Sequence, residues 1–265
     1  APPEGPIAWT AGICDRLPDP ETIAALRGLY LGDVAAADAK LAEVLKLVRG
    51  ASRRLVVVAT SDHGEHFGEH ALLGHEFSVR NPVLHVPLVV HGLPGVEPAR
   101  LDTPVTLADV PYSMLSWAGL EVPAGLSGRL LPTRPGDEVG RALVAAFTDS
   151  ARPLPEESVV REVEALEPMK RQDCRERHKV FGDTFALTRY PYKLVWFEHH
   201  PAELYDLSWD ANEGSDRSAY EPERRAALER ELRGIVVGSM LEAPGETPEL
   251  DPLQRETMRA LGYVE

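Results

Sequence analysis

The sequence predicts an α/β fold: part of a helix-covered sheet, followed by a small α+β carboxy-terminal subdomain. Three observations carry this. Residues 20–50 repeat apolar side chains at a helical period and lead into the short apolar run Leu55-Val56-Val57-Val58-Ala59. A second apolar run, Val86-Pro87-Leu88-Val89-Val90, is followed by another helical stretch over 106–119. Helices interleaved with such runs imply a sheet covered by helices. After residue 180 the pattern changes to "YKLVWFEHHPAELYDL", two short strands about a turn, and then to a helix.

Each element has a local reason. Asp19 is placed to cap a helix whose first position is Pro20 and whose first turn carries Glu21. The apolar positions Ile23, Leu26, Tyr30, Val34, Ala37, Leu41, Val44, Leu45 and Val48 keep that helix in register until Gly50. Gly28 and Gly32 weaken its first third and permit a break. The run 55–59 shows no polar alternation, which suits a central parallel strand covered on both faces. Pro87 lacks an N–H, so it belongs at the beginning or edge of the second strand. The stretch "TLADVPYSMLSWAG" has Pro early and Gly late, as a helix does. Residues 151–180 are charged and Pro-punctuated, a surface excursion or linker between a first unit, 1–150, and a second, 181–265. In that second unit Pro222 opens an amphipathic helix to 237, with Glu229 and Arg233 spaced for an i,i+4 pair.

Composition narrows the function. With 265 residues and 43% of them apolar, the chain can fill a sizeable core. A formal charge of −14 opposes the basic footprint that nucleic acid requires, and it favours a divalent cation. No apolar run reaches the roughly 18 residues of a membrane span. The two cysteines, Cys14 and Cys174, make neither a disulfide framework nor a metal knuckle, so the redox compartment stays open. The chain starts Ala-Pro-Pro-Glu, without a basic-then-apolar leader, which is compatible with a mature chain or a fragment.

The chemistry concentrates in "ATSDHGEHFGEHALLGHEF", residues 59–77, with four histidines and four acidic side chains. Three readings compete: a metal site, an acid/base site, or a solvated loop. His66-Phe67-Gly68-Glu69-His70 matches the inverted zinc-protease string, which requires a regular helix to bring both imidazoles to one face. Gly64, Gly68 and Gly74 argue against such a helix, and the segment directly follows a strand. His66 is expected to be a solvated loop residue. Asp62 and His63 lie just past the strand, where side chains enter the crevice at the carboxyl end of a sheet. Together they offer one carboxylate oxygen and one imidazole nitrogen to a divalent ion, half of a site.

These residues, with the segments around them, resemble a known family. "TSDHGEHFGEHALLGH" followed by "VPLVVHG" is similar to the second-half signature of the sulfatases, in the alkaline-phosphatase superfamily. "YLGDVAAADAKLAEVL", "VTLADVPYSMLSWAGLEVPAGLSGRLL", "YKLVWFEHHPAELYDLSWDANE" and "MRALGYVE" follow the family's order over roughly 25–130 and 185–265. The resemblance implies an alkaline-phosphatase-like sheet sandwiched by helices, with Asp62 and His63 as ligands of a divalent cation, usually calcium. It places His75 where many members have a lysine holding the sulfate oxygens, a catalytic and substrate-binding position. Histidine there exchanges a permanent cation for a titratable group. For His70, within the Gly-Glu-His pattern, a structural part is expected.

What the resemblance implies for activity is hydrolysis of small-molecule or glycan sulfate esters, with a formylglycine nucleophile in an upstream half. The expected motif, C/S-x-P-x-R, is not found here: Cys14 is followed by Asp-Arg-Leu-Pro. The family's first two aspartate ligands have no counterpart either. The chain is therefore expected to be a carboxy-terminal portion, inactive by itself. Alternatives are a phosphate or phosphonate ester hydrolase of the same superfamily, and a non-catalytic truncated or pseudoenzyme piece. The family setting points to a periplasmic or secreted protein.

Overall fold

The structure, a computed structural model, describes residues 18–51, 55–75, 78–137, 141–147, 179 and 182–241. Cys14, Cys174, nearly all of the 151–180 excursion and the ending "MRALGYVE" lie outside the described residues. None of the described helices is long and apolar enough to cross a membrane.

Helix α1 spans Pro20–Ala51. Its start is the expected cap: Asp19 Oδ1 accepts the Thr22 N–H at 2.9 Å, and Asp19 Oδ2 accepts the Thr22 hydroxyl at 2.9 Å. These bonds, the backbone one foremost, hold the Asp19 carboxyl below the usual carboxylate range. The helix runs through Gly28 and Gly32 without a break. Each glycine costs about 1 kcal/mol relative to Ala, and a long helix absorbs that cooperatively. Tyr30 packs edge-on to Phe67, ring centroids 5.2 Å apart, while Leu29, Leu31, Val44 and Leu47 are exposed.

Strands β1 (Val57–Thr60) and β4 (Leu88–His91) form an antiparallel pair, Val57 opposite His91 and Thr60 opposite Leu88. The expectation of a parallel strand covered on both faces is corrected here. An unalternating apolar run reports which side chains a strand carries, not the direction of its neighbour. Pro87 falls just before β4, where its missing N–H leaves no ladder bond unmade. Gly92 ends the strand at φ 84°, and a Cβ there would lie 2.1 Å from the Leu55 carbonyl oxygen.

Between these strands lie a ribbon of two short strands, β2 (His66–Phe67) and β3 (Leu73–Gly74), and a single helical turn, α2 (Asn81–Leu84). Helix α3 spans Asp109–Trp117. Asp109 fixes its start by accepting the N–H groups of Thr106 at 2.9 Å and Arg129 at 2.8 Å, and it pairs with Arg141. The carboxylate thereby ties the helix to the chain that returns past it.

The remaining strands, β5 (Leu143–Phe147), β6 (Thr184–Arg189), β7 (Tyr192–Phe197) and β8 (Glu203–Asp206), form one antiparallel sheet in sequence order. The hairpin read from "YKLVWFEHHPAELYDL" is β7–β8, whereas β5 and β6 were not foreseen. Period-two alternation splits the side chains between two faces. Phe185, Leu187, Leu194 and Leu204 face α4 (Pro222–Leu241) and pack on its Leu228 and Leu232. On the opposite face Ala186, Val195, Phe197 and Tyr205 pack against Val79 from the histidine-rich segment. Arg233 lies over the Trp196 ring at 5.7 Å, while Arg189 reaches Glu231 at 2.5 Å. Trp196 is thus the contact found for Arg233, in place of the i,i+4 pairing expected with Glu229.

That second face also carries charge. Lys193 and Glu213 are buried and form an ion pair; Lys193 Nζ also donates to Asn81 Oδ1 at 2.9 Å. Arg80 bonds Glu203 at 2.5 Å and the Tyr205 hydroxyl at 3.0 Å, and Lys179 adds a second partner to Glu203. Burial pushes the Glu203 carboxyl up, but Arg80 and Lys179 outweigh it and hold the group below its ordinary range. Burial pulls the Lys193 ammonium down against the attraction of Glu213.

Removing one member of a buried ion pair strands the other, at about 3–5 kcal/mol, whereas replacing both by apolar groups is far milder. Lys193→Met is therefore expected to lower stability by an amount near the bottom of that range, because Arg80 still faces Glu213 at 3.8 Å. The Lys193→Met/Glu213→Leu double variant should recover part of the loss. Urea melts of the three proteins check this, and equal stability of Lys193→Met and the native chain would contradict it.

Candidate functional site

The site begins where β1 stops. Ser61 Oγ donates to the His63 carbonyl at 2.8 Å, and the His63 N–H donates to Asp62 Oδ1 at 3.0 Å. Asp62 is exposed, and its Oδ2 lies 3.9 Å from His63 Nε2. The His63 ring is half-buried, and its Nδ1 donates to the Gly64 carbonyl at 3.0 Å. A carbonyl can only accept, so the proton sits on Nδ1 and the lone pair on Nε2.

Gly64 is clamped against α2. Its N–H donates to the Val83 carbonyl at 2.8 Å, and a Cβ would lie 2.1 Å from the Pro82 carbonyl oxygen. Only glycine tolerates so close a backbone approach. The chain then folds back through the β2–β3 ribbon, with His66 opposite Gly74 and Phe67 opposite Leu73. The turn is made by Gly68 at φ 101°, His70 at 55° and Ala71 at 59°, and closed by the Gly68 N–H on the Leu72 carbonyl at 2.8 Å. Glu69 Oε2 steadies it by accepting the Phe67 N–H at 2.6 Å.

This fold-back brings together residues that lie far apart in sequence. The His75 ring stacks on the His63 ring, centroids 4.0 Å apart at 27° between planes. His75 Nδ1 lies 3.3 Å from Glu65 Oε2. His63, Glu65 and His75 each offer a ligand atom, and these atoms all lie within 4.8 Å of one another. His63 and His75 border one place, and Asp62 Oδ2 stands 3.9 Å from His63 Nε2. Glu65 was missed, and its signal was only a carboxylate two residues beyond His63.

The other two histidines have different lives. His66 and His70 do not share a helix face: one is in β2, the other in a left-handed turn, with rings edge to face at 6.3 Å. The zinc-protease string thus lacks its required backbone. His70 Nε2 meets the Asn212 carbonyl at 3.1 Å and lies 4.0 Å from Glu213, a structural link to the loop that follows β8. Burial, with Arg80 nearby, pulls its imidazole below the usual range. The expectation that His66 is a solvated loop residue is overturned. Its side chain is wholly buried, and Nε2 meets Ser78 Oγ at 2.8 Å. The two-residue alternation of β2 turns it inward while the loop around it stays wet.

With this geometry in hand, comparison with known proteins is informative. Residues 8–120 match the family model described as Sulfatase. That stretch, under half of the chain, is similar to the sulfatases. The chain is similar to arylsulfatase K of Bos taurus, 28% identical over 218 residues. The alignment covers 80% of this chain and 36% of the relative, so this chain spans about a third of the relative's length. Among solved structures it superposes on a phosphonate monoester hydrolase from Agrobacterium radiobacter with a TM-score of 0.61, 22% identity, and coverage of 82% of this chain and 42% of the other. A phosphonate monoester hydrolase from Silicibacter pomeroyi gives 0.61, 25% identity, and coverage of 86% and 44%. The fold of this chain is the alkaline-phosphatase-like α/β fold that the sequence led us to expect.

Burial, with His70 adding to it, pulls His66 down to about 4. Unfolded, the same imidazole takes its proton near its usual value of about 6.5. Between these values the unfolded chain binds more protons, so stability is lost as pH falls from about 6.5 to about 4 and is insensitive to His66 above that window. The loss should reach up to roughly 3 kcal/mol. Melting the native chain and His66→Gln across this range checks it: the difference between the two pH slopes should be positive, and coincident slopes would show His66 to be solvated after all.

Proposed function

We propose that the chain is the cation- and substrate-contacting portion of a sulfuric ester hydrolase, with Asp62 and His63 as ligands of a divalent cation, Ca2+ in the first instance. The single observation that carries this is the fold-back: it seats His75, at the anion-contact position, against His63, at the metal-ligand position, across twelve residues. The donor set fits. An exposed carboxylate and an imidazole whose Nε2 bears the lone pair supply two neighbouring ligands, and solvent reaches both.

The roles divide as follows. Asp62 and His63 hold the cation, which when bound supplies polarisation of the ester's oxygens. His75, half-exposed on the rim, contacts the ester's anionic oxygens when it is protonated and orients them. Gly64 fixes the distance between the ligand pair and α2, and the β2–β3 ribbon fixes the reach of His75. The nucleophile, a formylglycine, and the further ligands are assigned to the portion of the relatives' length that this chain does not cover. No Cys or Ser here carries C/S-x-P-x-R, so the 265-residue chain by itself is expected to be inactive. The division into 1–150, 151–180 and 181–265 is kept as a proposal with one exception, β5, which lies in the first span but pairs with the carboxy-terminal sheet; the substrate is a small-molecule or glycan sulfate ester. Phosphonate monoester hydrolysis is the second reading, favoured by the similarity to the Silicibacter pomeroyi enzyme at 25% identity.

Two measurements test the assignment. Calorimetric Ca2+ titration of the chain should show Asp62→Ala weakening binding by tenfold or more, about 1.4 kcal/mol, while His75→Ala leaves it unchanged. Assay of the chain on a chromogenic aryl sulfate and on an aryl phosphonate monoester, with Ca2+ present, should give background rates only. Turnover abolished by a chelator would show that the chain carries its own nucleophile and overturn that part of the reading.

A further inference from the structure

The cluster at the rim contains a second set of donors, and its chemistry differs from that of the Asp62–His63 pair. We propose that His63, Glu65 and His75 bind a borderline transition-metal ion, Zn2+ being the probe of choice, in a two-imidazole, one-carboxylate site with an open fourth position. The set stands whether or not the chain acts on sulfate esters.

Donor identity carries the first part of the argument. Calcium takes six to eight oxygens, whereas two imidazoles in three ligands suit Zn2+ and its first-row neighbours. Three protein ligands with the fourth place left to water is the arrangement of an accessible zinc site. Here the side chains are open to solvent: relative exposure is 33% for His63, 23% for Glu65 and 48% for His75. Asp62 stands at the edge, 3.9 Å from His63 Nε2, and competes with water for the fourth place.

Geometry carries the second part. Ligands around a tetrahedral Zn2+ at about 2.0–2.1 Å lie roughly 3.3 Å apart. His75 Nδ1 and Glu65 Oε2 are already at 3.3 Å, and the whole set lies within 4.8 Å. Closing the rest takes rotation of the half-buried His63 and Glu65 side chains and the exposed His75, which would turn the stacked rings so that their lone pairs converge. The backbone is held, since Gly64 is pinned to α2 and the ribbon register pairs His66 with Gly74. The Gly64 carbonyl holds the Nδ1–H of His63, the outer bond that sets the tautomer of metal-ligating histidines. His63 belongs to both donor sets, so Zn2+ and Ca2+ compete for it.

The test is Zn2+ titration of the 265-residue chain against a chromophoric chelator, with Co2+ as spectroscopic probe. Native protein should bind one Zn2+ and give the intense visible bands of four-coordinate Co2+. Glu65→Gln and His75→Ala should each weaken Zn2+ at least tenfold, about 1.4 kcal/mol. Asp62→Ala should keep Zn2+ affinity within threefold, and His85→Ala, an exposed histidine outside the set, should leave it unchanged. Zn2+ binding that survives both Glu65→Gln and His75→Ala, or fails in the native chain, overturns the proposal. Loss of Zn2+ in Asp62→Ala would overturn it too, by returning the ion to the Asp62–His63 pair. Ca2+ titration of the same proteins keeps the outcomes separate: failure of Ca2+ to depend on Asp62 sinks the calcium assignment and leaves the zinc set standing.

Discussion

The placement of the histidine-rich segment depends on a buried electrostatic contact with the carboxy-terminal sheet. Arg80 and Asn81, immediately before and within α2, meet Glu203, Tyr205 and Lys193 on one face of that sheet, and Glu213 in the loop after it. Apolar packing of Val79 on Val195 and Phe197 makes the interface dry. Dry packing alone would let the segment slide, because dispersion contacts are nearly indifferent to register. Charges buried in low dielectric are not indifferent: an offset leaves one of them unpaired, at several kcal/mol. The pairing therefore selects one docking position. Through Asn81 and α2 that position is passed to Gly64, whose backbone has no room to shift against Pro82.

Small residues and left-handed backbone do the rest. From the Gly64 anchor the chain needs a tight reversal to bring residue 75 back beside residue 63. Gly68, His70, Ala71 and Gly74 all take positive φ within seven residues. For Ala71 and His70 this conformation is unfavourable by about 1–2 kcal/mol each. His70 is held there by its bond with the Asn212 carbonyl, in the loop after β8 that also carries Glu213, which Arg80 faces. One interface thus supports both the anchor and the reversal of the site loop.

Much of this was legible in the sequence, and the boundary of legibility is physical. Capping at Asp19, the two apolar strands, the β7–β8 hairpin and the helix opened by Pro222 are local patterns, and the structure has each of them. Strand direction is not local, so β1 and β4 turned out antiparallel. Strand β5, "LVAAF", is too short and too rich in Ala to stand out, and its partner β6 comes from the far side of the 151–180 stretch. At the site, Asp62, His63 and His75 came from a family pattern, whereas Glu65 needed the ribbon register to become visible. Lys193 reads in "YKLVWF" as an ordinary strand lysine on a wet face. Its burial is decided by Glu213 and Asn81, which lie in other segments.

Residue 75 shows how one side chain changes what the loop can do. In many relatives by resemblance that position holds lysine, whose ammonium has three donors and no lone pair. Such a group attracts an ester's oxygens and repels any cation placed beside His63. Histidine reverses the second property: its neutral ring presents a lone pair toward the same space, and its protonated ring restores the attraction for anions. Stacked on His63 and set beside Glu65, a histidine is compatible with the nitrogen-rich donor set proposed above, which lysine would forbid. The two roles proposed for His75, anion contact and metal ligation, would draw on the same imidazole. At Nδ1, beside Glu65, a metal of the proposed set would need the lone pair that lysine lacks, and that is what the substitution adds to the loop.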